Sequence, residues 1–512
     1  MFVRVHTGTI SGIEAVAVTA EVNVSLGGLG LFIVGLPDNT IKESHERIQS
    51  AFENSGYKLQ AKKTVVNLAP ADLRKEGSQY DLPIAVGILA ATEQISTDML
   101  ADSMFIGELS LNGMLRPVKG VLPLVAMARE HGLKRVFMPI DNVMEGAVVE
   151  GIESVGVGSL LEMCEILMGC RTYTPTQFSI SDDKVATTSE YAEDFSDVKG
   201  QMYAKRALEI AAAGGHNVIM VGSPGSGKTM LARRMPTIMP PMTMEEALET
   251  TKIHSVAGKI GRQSGLIYTR PFRAPHHLTS QVALIGGGQS PQPGEVSLAN
   301  NGVLFLDEMP EFGRNVLEVL RQPLEDRHIT ISRAKYSVDY PANFTLVASM
   351  NPCPCGYFSH PTKECKCSVS AVHRYRAHIS GPLMDRIDIH IEVEPVAISE
   401  MTDSKPAESS AEIRKRVIVA RDIQRRRFEG LDIHSNAMMN SAMLRKFAPL
   451  DKTCSELLER AMTRLNLSSR AYDRIIKVAR TIADLEGAEN ITPQHIAEAI
   501  GYRSLDRENW SL

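Results

Sequence analysis

The stretch HNVIMVGSPGSGKTMLARRMP, His216 to Pro236, limits more than any other what this chain can become. An apolar run ends in GxxxxGKT and a helix-forming run follows at once, so the order must be strand, glycine-rich turn, helix. Such a turn aims backbone N–H groups from a helix N-terminus at whatever sits in it, which suits phosphate. Gly222, Ser223, Pro224, Gly225, Ser226, Gly227, Lys228 and Thr229 make the expected loop. Lys228 is placed to neutralise β- and γ-phosphates, and the Thr229 hydroxyl to ligate Mg²⁺. The helix is expected to stop at Pro236.

A second stretch, NGVLFLDEMPEF, reads as a buried strand ending in Asp307 and Glu308. Asp307 is typed to hold Mg²⁺ through water, and Glu308 to orient and polarise an attacking water. Hydrolysis also needs a group that senses the γ-phosphate and a cation for the charge of the transition state. Asn351 closes another apolar strand, NFTLVASMN, and fits the first task; Arg386 in SGPLMDRIDIHIEV and Arg470 in NLSSRAYDRI are candidates for the second. Taken alone, each arginine is more often a surface or salt-bridge residue.

At 512 residues the chain is too long for one ordinary core. Residues 1–170 alternate β-rich and helix-like runs, as in EAVAVTAEVNVS, NTIKESHERIQSAFENSG and KKTVVNLAP, which predicts an α/β domain. The polar stretch 171–193 reads as a linker, 194–393 as an α/β nucleotide-binding core, and 394–512, after SEMTDSKPAESSAE, as a helical domain. No run of about eighteen uncharged apolar residues occurs, and MFVRVHTGTISGIE lacks the apolar region of a signal peptide, so the expected compartment is cytoplasmic, with no membrane. A formal net charge of −5 does not announce a nucleic-acid partner.

Four of the seven cysteines, Cys353, Cys355, Cys365 and Cys367, form C-x-C, nine residues, C-x-C. In a reducing compartment they point to a metal rather than disulfides. Four thiolates suit a closed tetrahedral Zn²⁺ site, although C-x-C is shorter than the usual C-x₂-C knuckle. An iron–sulfur cluster and packed reduced thiols are the alternatives. Cys164, Cys170 and Cys454 sit among apolar residues and are expected to be packed.

The ordered set GSPGSGKT, VLFLDE, ASMNP, PLMDRID and SSRAYDR resembles the AAA+ ATPases of the magnesium-chelatase-like clade. With RPFRAPHHLTS, GGGQSPQPGEVSLANNGVLFLDE, LEVLRQPLED and NPCPCG, the resemblance extends over essentially the whole chain to the YifB/ComM family, which includes a ring-forming DNA helicase of bacterial transformation. The resemblance implies a central AAA+ core and a C-terminal α-helical lid. It makes Asn351 sensor 1, Arg386 an arginine finger reaching a neighbouring subunit's ATP, and Arg470 the sensor-2 arginine. SDVKGQ, with Gly200 and Gln201, resembles the segment that walls the adenine. A finger acting in trans implies a homo-oligomeric ring, most simply a hexamer, working on single-stranded or branched DNA in recombination.

FIGELSLNGMLRPVKGVLPLVAMARE resembles the strand-turn-helix of the Lon protease domain, implying an N-terminal fold like ribosomal S5 domain 2. The nucleophile's place falls near Tyr80 or Asp81 and the lysine's near Leu122. Ser78 and Lys119 are close in sequence, but a dyad needs hydrogen-bond geometry, and a non-catalytic front domain is expected.

For DNA, the resemblance implies a pore-facing insert in PHHLTSQVALIGGGQSPQPGE. DRHITISRAKYSVDYP predicts a hairpin whose Arg333 and Lys335 suit phosphates in a channel, or are simply solvated. EIRKRVIVARDIQRRRFEG holds seven Lys/Arg against three acidic residues, a balance of +4, read as solvated charge and intersubunit pairs. His276 and His277, being adjacent, are expected to point apart and to serve structure or a substrate loop rather than one metal ion. Two rival readings stand beside the DNA motor: a chelatase-type motor remodelling a protein partner, and a nucleotide-regulated scaffold.

Overall fold

The computed structural model describes residues 1–26, 28–178, 191–261, 265–288, 291–333, 336–358, 360, 362–396, 407–465, 467–503 and 505. The chain divides into two compact units, Met1–Lys184 with Met244–Ile267, and Val185–Thr243 with Tyr268–Leu512.

The first unit is built on a mixed seven-stranded sheet, in the order Gly30–Val34, Lys63–Ala69, Glu14–Ser25, Phe2–Ser11, Ser103–Phe105, Arg135–Pro139, Glu153–Val157. Alternation explains its long strands: Val18, Ala20, Val22 and Val24 are buried on one face of Glu14–Ser25, as are Thr64, Val66 and Leu68 of Lys63–Ala69. Helix Asp81–Ala91 is apolar almost all round and buried throughout, as a helix inside a core must be. Helix Met244–Val256 falls in the span expected for the nucleotide-binding core, yet it belongs to this unit. It packs against helix Val121–Glu130. Ser255 donates to the buried carboxylate of Glu145, which also accepts from the Leu122 N–H at 2.9 Å. Tyr80 and Leu122 are buried, and Asp81 is held by Arg47 at 2.7 and 2.9 Å. Ser78 donates to Glu108, while the methylenes of Lys119 lie along Gly258.

In the second unit a five-stranded parallel sheet runs Phe272–Arg273, Val303–Leu306, Thr345–Met350, Val218–Val221, Ile389–Glu392. Its inner strands are apolar on both faces and wholly buried, as parallel sheets with covered faces require. Helices Met202–Gly214 and Lys228–Ile238 share one hydrophobic cluster with this sheet. So do the C-terminal helices Ser410–Arg427, Lys452–Arg464, Ser469–Leu485 and Pro493–Gly501, through Val417, Leu458, Ile482 and Ile496.

Three local expectations are corrected. Helix Lys228–Ile238 does not stop at Pro236 but continues two residues past it. Met235, Pro236 and Ile238 are buried there, so packing outweighs the hydrogen bond that proline denies the helix. Cys164 and Cys454 are packed, but Cys170 is exposed, because it follows the end of helix Leu160–Leu167. His276 and His277 do not diverge: they sit in a turn, outside helix or strand, and their rings lie 4.1 Å apart.

Candidate nucleotide-binding site

Three neighbouring parallel strands deliver the expected residues to one sheet edge, since each strand's C-terminal end opens into a loop on the same side. The loop 222–227 follows Val218–Val221, Asp307 and Glu308 follow Val303–Leu306, and Asn351 follows Thr345–Met350. Gly225 and Gly227 adopt φ of +81° and +92°, with open space where a Cβ would stand. Gly222 is required for a different reason: a Cβ there would lie 2.3 Å from the Val393 carbonyl oxygen. The Ser223 and Ser226 hydroxyls are buried with no hydrogen-bond partner among the described residues.

Lys228 Nζ donates to the carbonyls of Gly222 (2.7 Å) and Ser223 (3.0 Å) and to Asn351 Oδ1 at 3.3 Å. Burial pushes its pKa down, against the pull of Asp307 and Glu308. Thr229 Oγ1 donates to Asp307 Oδ2 at 2.9 Å, and Ser349 donates to Asp307 Oδ1. Glu308 takes a φ of +51°, its N–H donating to Asp307 Oδ1 (3.1 Å) and Ser349 Oγ (3.3 Å). Gly200 and Gln201 both have positive φ, and the Gln201 amide reaches Ser226 O at 3.3 Å and the Glu394 carbonyl. Orphaned hydroxyls, an open glycine loop, a buried ammonium and a hydroxyl–carboxylate pair together fit a nucleoside triphosphate with Mg²⁺.

Two arginines stand elsewhere. Arg386 is nearly buried, pairs with Glu325 at 2.8 Å and donates to Pro382 O at 2.6 Å. Arg470 is exposed and lies 3.8 Å from Asp385, the residue before Arg386. The two arginines thus hold different carboxylates, and Arg470 reaches the residue next in sequence to Arg386.

The cysteines converge. Cys353, Cys355, Cys365 and Cys367 place their Sγ atoms within 4.8 Å of one another, with three separations of 3.4, 3.6 and 3.6 Å. A tetrahedron of thiolates around zinc has edges of about 3.8 Å for a 2.3 Å bond, so the set fits that ion. The loop abuts the phosphate loop: Gly356, at φ +82°, would drive a Cβ to within 2.5 Å of the Pro224 ring.

The hairpin is present, His328–Arg333 against Tyr336–Pro341. Lys335 lies outside the described residues, and Arg333 ends the first strand. On helix Ser410–Arg427, Arg416 pairs with Glu209 and Glu408, and Arg427 with Asp484, so much of its charge is spent within the chain. Sequence reasoning passed over Ser349, whose signal was a hydroxyl near the end of a buried strand, and the proximity of His277 to Glu308 at 3.9 Å, which had no sequence signal.

Models described as magnesium chelatase subunit ChlI match residues 194–401, subunit ChlI of Mg-chelatase 20–142, and the subunit ChlI C-terminal region 407–503. The chain is 43% identical over 509 residues to competence protein ComM of Haemophilus influenzae, covering 98% of this chain and 97% of that one. YifB of Escherichia coli is 43% identical over 505 residues, covering 98% and 97%. Lon protease 2 of Bacillus subtilis is 26% identical over 136 residues, 27% of this chain and 24% of that protease. Sheet, loop and matches define an AAA+-like protein of the magnesium-chelatase class. Within that class the chain belongs to the YifB/ComM family.

Proposed function

We propose that this chain is an ATP-hydrolysing motor that assembles into a ring, most simply a hexamer, and moves single-stranded or branched DNA. The carrying observation is the convergence of Lys228, Thr229, Asp307 and Asn351 at one sheet edge. In this reading the loop 222–229 cradles the phosphates, Thr229 and Asp307 hold Mg²⁺, which screens phosphate charge, and Glu308 polarises water. Gly200 and Gln201 flank the base. Arg386 acts as the finger on the nucleotide of a neighbouring subunit, and Arg470, on the helical lid, as the sensor-2 arginine. Resemblance to a competence protein supports DNA as the substrate, with Arg333 and Lys335 as contacts; the front unit guides assembly or substrate without proteolysis. The test is ATP turnover with and without single-stranded or forked DNA, together with strand displacement. No stimulation and no unwinding would sink the DNA reading.

The magnesium-chelatase models favour a second reading, a motor that remodels a protein partner. It predicts turnover indifferent to DNA.

The four thiolates hold a structural Zn²⁺ that ties the loop after Asn351 into one piece. Elemental analysis is expected to find close to one zinc per chain, and Cys353→Ser/Cys367→Ser to lose it. Metal-free protein with full nucleotide affinity would make the thiols incidental.

A further inference from the structure

The loop that carries the four thiols presents more to solvent than sulfur. Between Asn351 and Arg376 stand Lys363, Lys366, Arg374 and Arg376 against one acidic residue, Glu364, in a chain whose formal net charge is −5. Lys363, Lys366 and Arg374 are exposed, and among the described residues no carboxylate pairs with any of them.

Two aromatic rings stand among these cations. Lys363 Nζ lies over the Tyr357 ring, 4.8 Å from its centroid, and His360 meets that ring edge-on at 5.6 Å. The Arg376 guanidinium lies 4.9 Å from the centre of Phe358, and its Nε donates to the Pro352 carbonyl at 3.2 Å. Arg376 is nearly buried, so it backs Phe358 from within, while the phenyl ring itself stays 37% exposed. Apolar surface left in water opposes folding; here it is propped outward instead of being turned in.

The thiol cluster steadies this surface. The N–H groups of Tyr357 and Lys366 face the Cys355 sulfur, so ring-bearing and cation-bearing backbone are tied to one centre. Arg376 ends helix Val369–Arg376, whose start Ser368 caps by accepting from the Ala371 N–H at 3.3 Å. A surface held this way gives up little conformational freedom when it binds.

We propose that the thiol loop is a single-strand contact, separate from the hairpin of Arg333 and Lys335: Phe358 takes the face of an unpaired base, and Lys363, Lys366 and Arg374 take the flanking phosphates. This rests on the reading of the chain as a DNA motor. Cations alone would suit any acidic partner, but an outward ring among them suits a chain that alternates phosphate with a flat base. A duplex keeps its base faces stacked on one another, so the loop prefers single strand.

The test uses the full chain with saturating ADP and a fluorescent oligothymidylate, binding being read by anisotropy over a series of salt concentrations. Lys363→Ala/Lys366→Ala/Arg374→Ala is expected to flatten the slope of log affinity against log salt by about 2, three contacts at roughly 0.7 each. Phe358→Ala is expected to weaken binding about ten-fold with the slope unchanged, and Phe358→Tyr, which keeps a ring, to bind as wild type does. Every variant is expected to retain wild-type zinc content and the wild-type sedimentation profile. Wild-type affinity and slope in either the triple variant or Phe358→Ala overturns the proposal. So does a loss of binding that tracks a loss of assembly, which assigns the loop to a contact between subunits. Failure of the underlying reading looks different: the wild-type chain itself then binds no oligothymidylate.

Discussion

Arg386 is the residue whose surroundings say most about its proposed task. One guanidinium nitrogen is held by Glu325, another by a carbonyl, and Nε is buried with no partner among the described residues, so the side chain is incompletely satisfied where it stands. Acting on a neighbour's nucleotide requires it to leave Glu325. Arg386→Ala is expected to cut ATP hydrolysis on the order of 10³-fold while sparing ADP affinity; full turnover in that variant would remove the finger role. Glu308→Gln should lower kcat roughly 10²-fold or more and leave ATP binding in place, read by filter retention of labelled ATP. The loop residues 222–229 were legible because their signal is local, a spacing that only one backbone geometry accommodates. Glu325, Asp385 and His277 were not, because their importance lies in contacts with residues distant in the chain.

At the scale of elements, two devices stand out. The first is the thiol loop pressed on the glycine-rich loop: the spacing pointed to a metal and the four thiols do converge, but nothing in the spacing placed them against the candidate nucleotide site. Gly356→Ala is expected to push Pro224 and weaken nucleotide affinity several-fold with zinc content unchanged, measured by ADP titration and elemental analysis. The second is the join between strand Ile389–Glu392 and helix Ser469–Leu485. Asp388 is buried, bonded to Arg474 and to His216 at 3.2 Å, and the Arg474 guanidinium together with the His216 hydrogen bond holds its carboxyl well below the usual range despite burial. His216 and His390 are fully buried, and burial drives both pKa values down. The unfolded chain therefore takes up protons near pH 6.5 that the folded chain refuses, so stability is expected to fall as pH drops below about 6.5. The contribution of Asp388 persists until pH falls below about 4. Thermal melts between pH 8 and 5 check this, and a flat profile would contradict it. Asp388→Asn should cost about 3–5 kcal/mol by stranding buried cations, read by denaturant titration.

Over the whole molecule, the mixed α/β class was legible from the order of apolar runs, whereas the parallel direction of the second unit's strands is set by pairings between residues far apart in the chain. Among the described residues no helix is long and apolar enough to cross a membrane. What periodicity could not foresee is the excursion of Met244–Ile267, because a helix's partner is set by which buried face it completes, here through Ala247, Ile253 and Val256. Residues 1–184 expressed alone are expected to aggregate or melt well below the full chain, by light scattering and circular dichroism; a stable, monodisperse fragment would contradict that role for the helix. The same excursion bears on descent. A crossover in the gene at the 171–193 stretch would join one parent's front sheet to another parent's helix, so the front fold cannot be traded as a cassette: its two separated pieces must be inherited together or be matched anew.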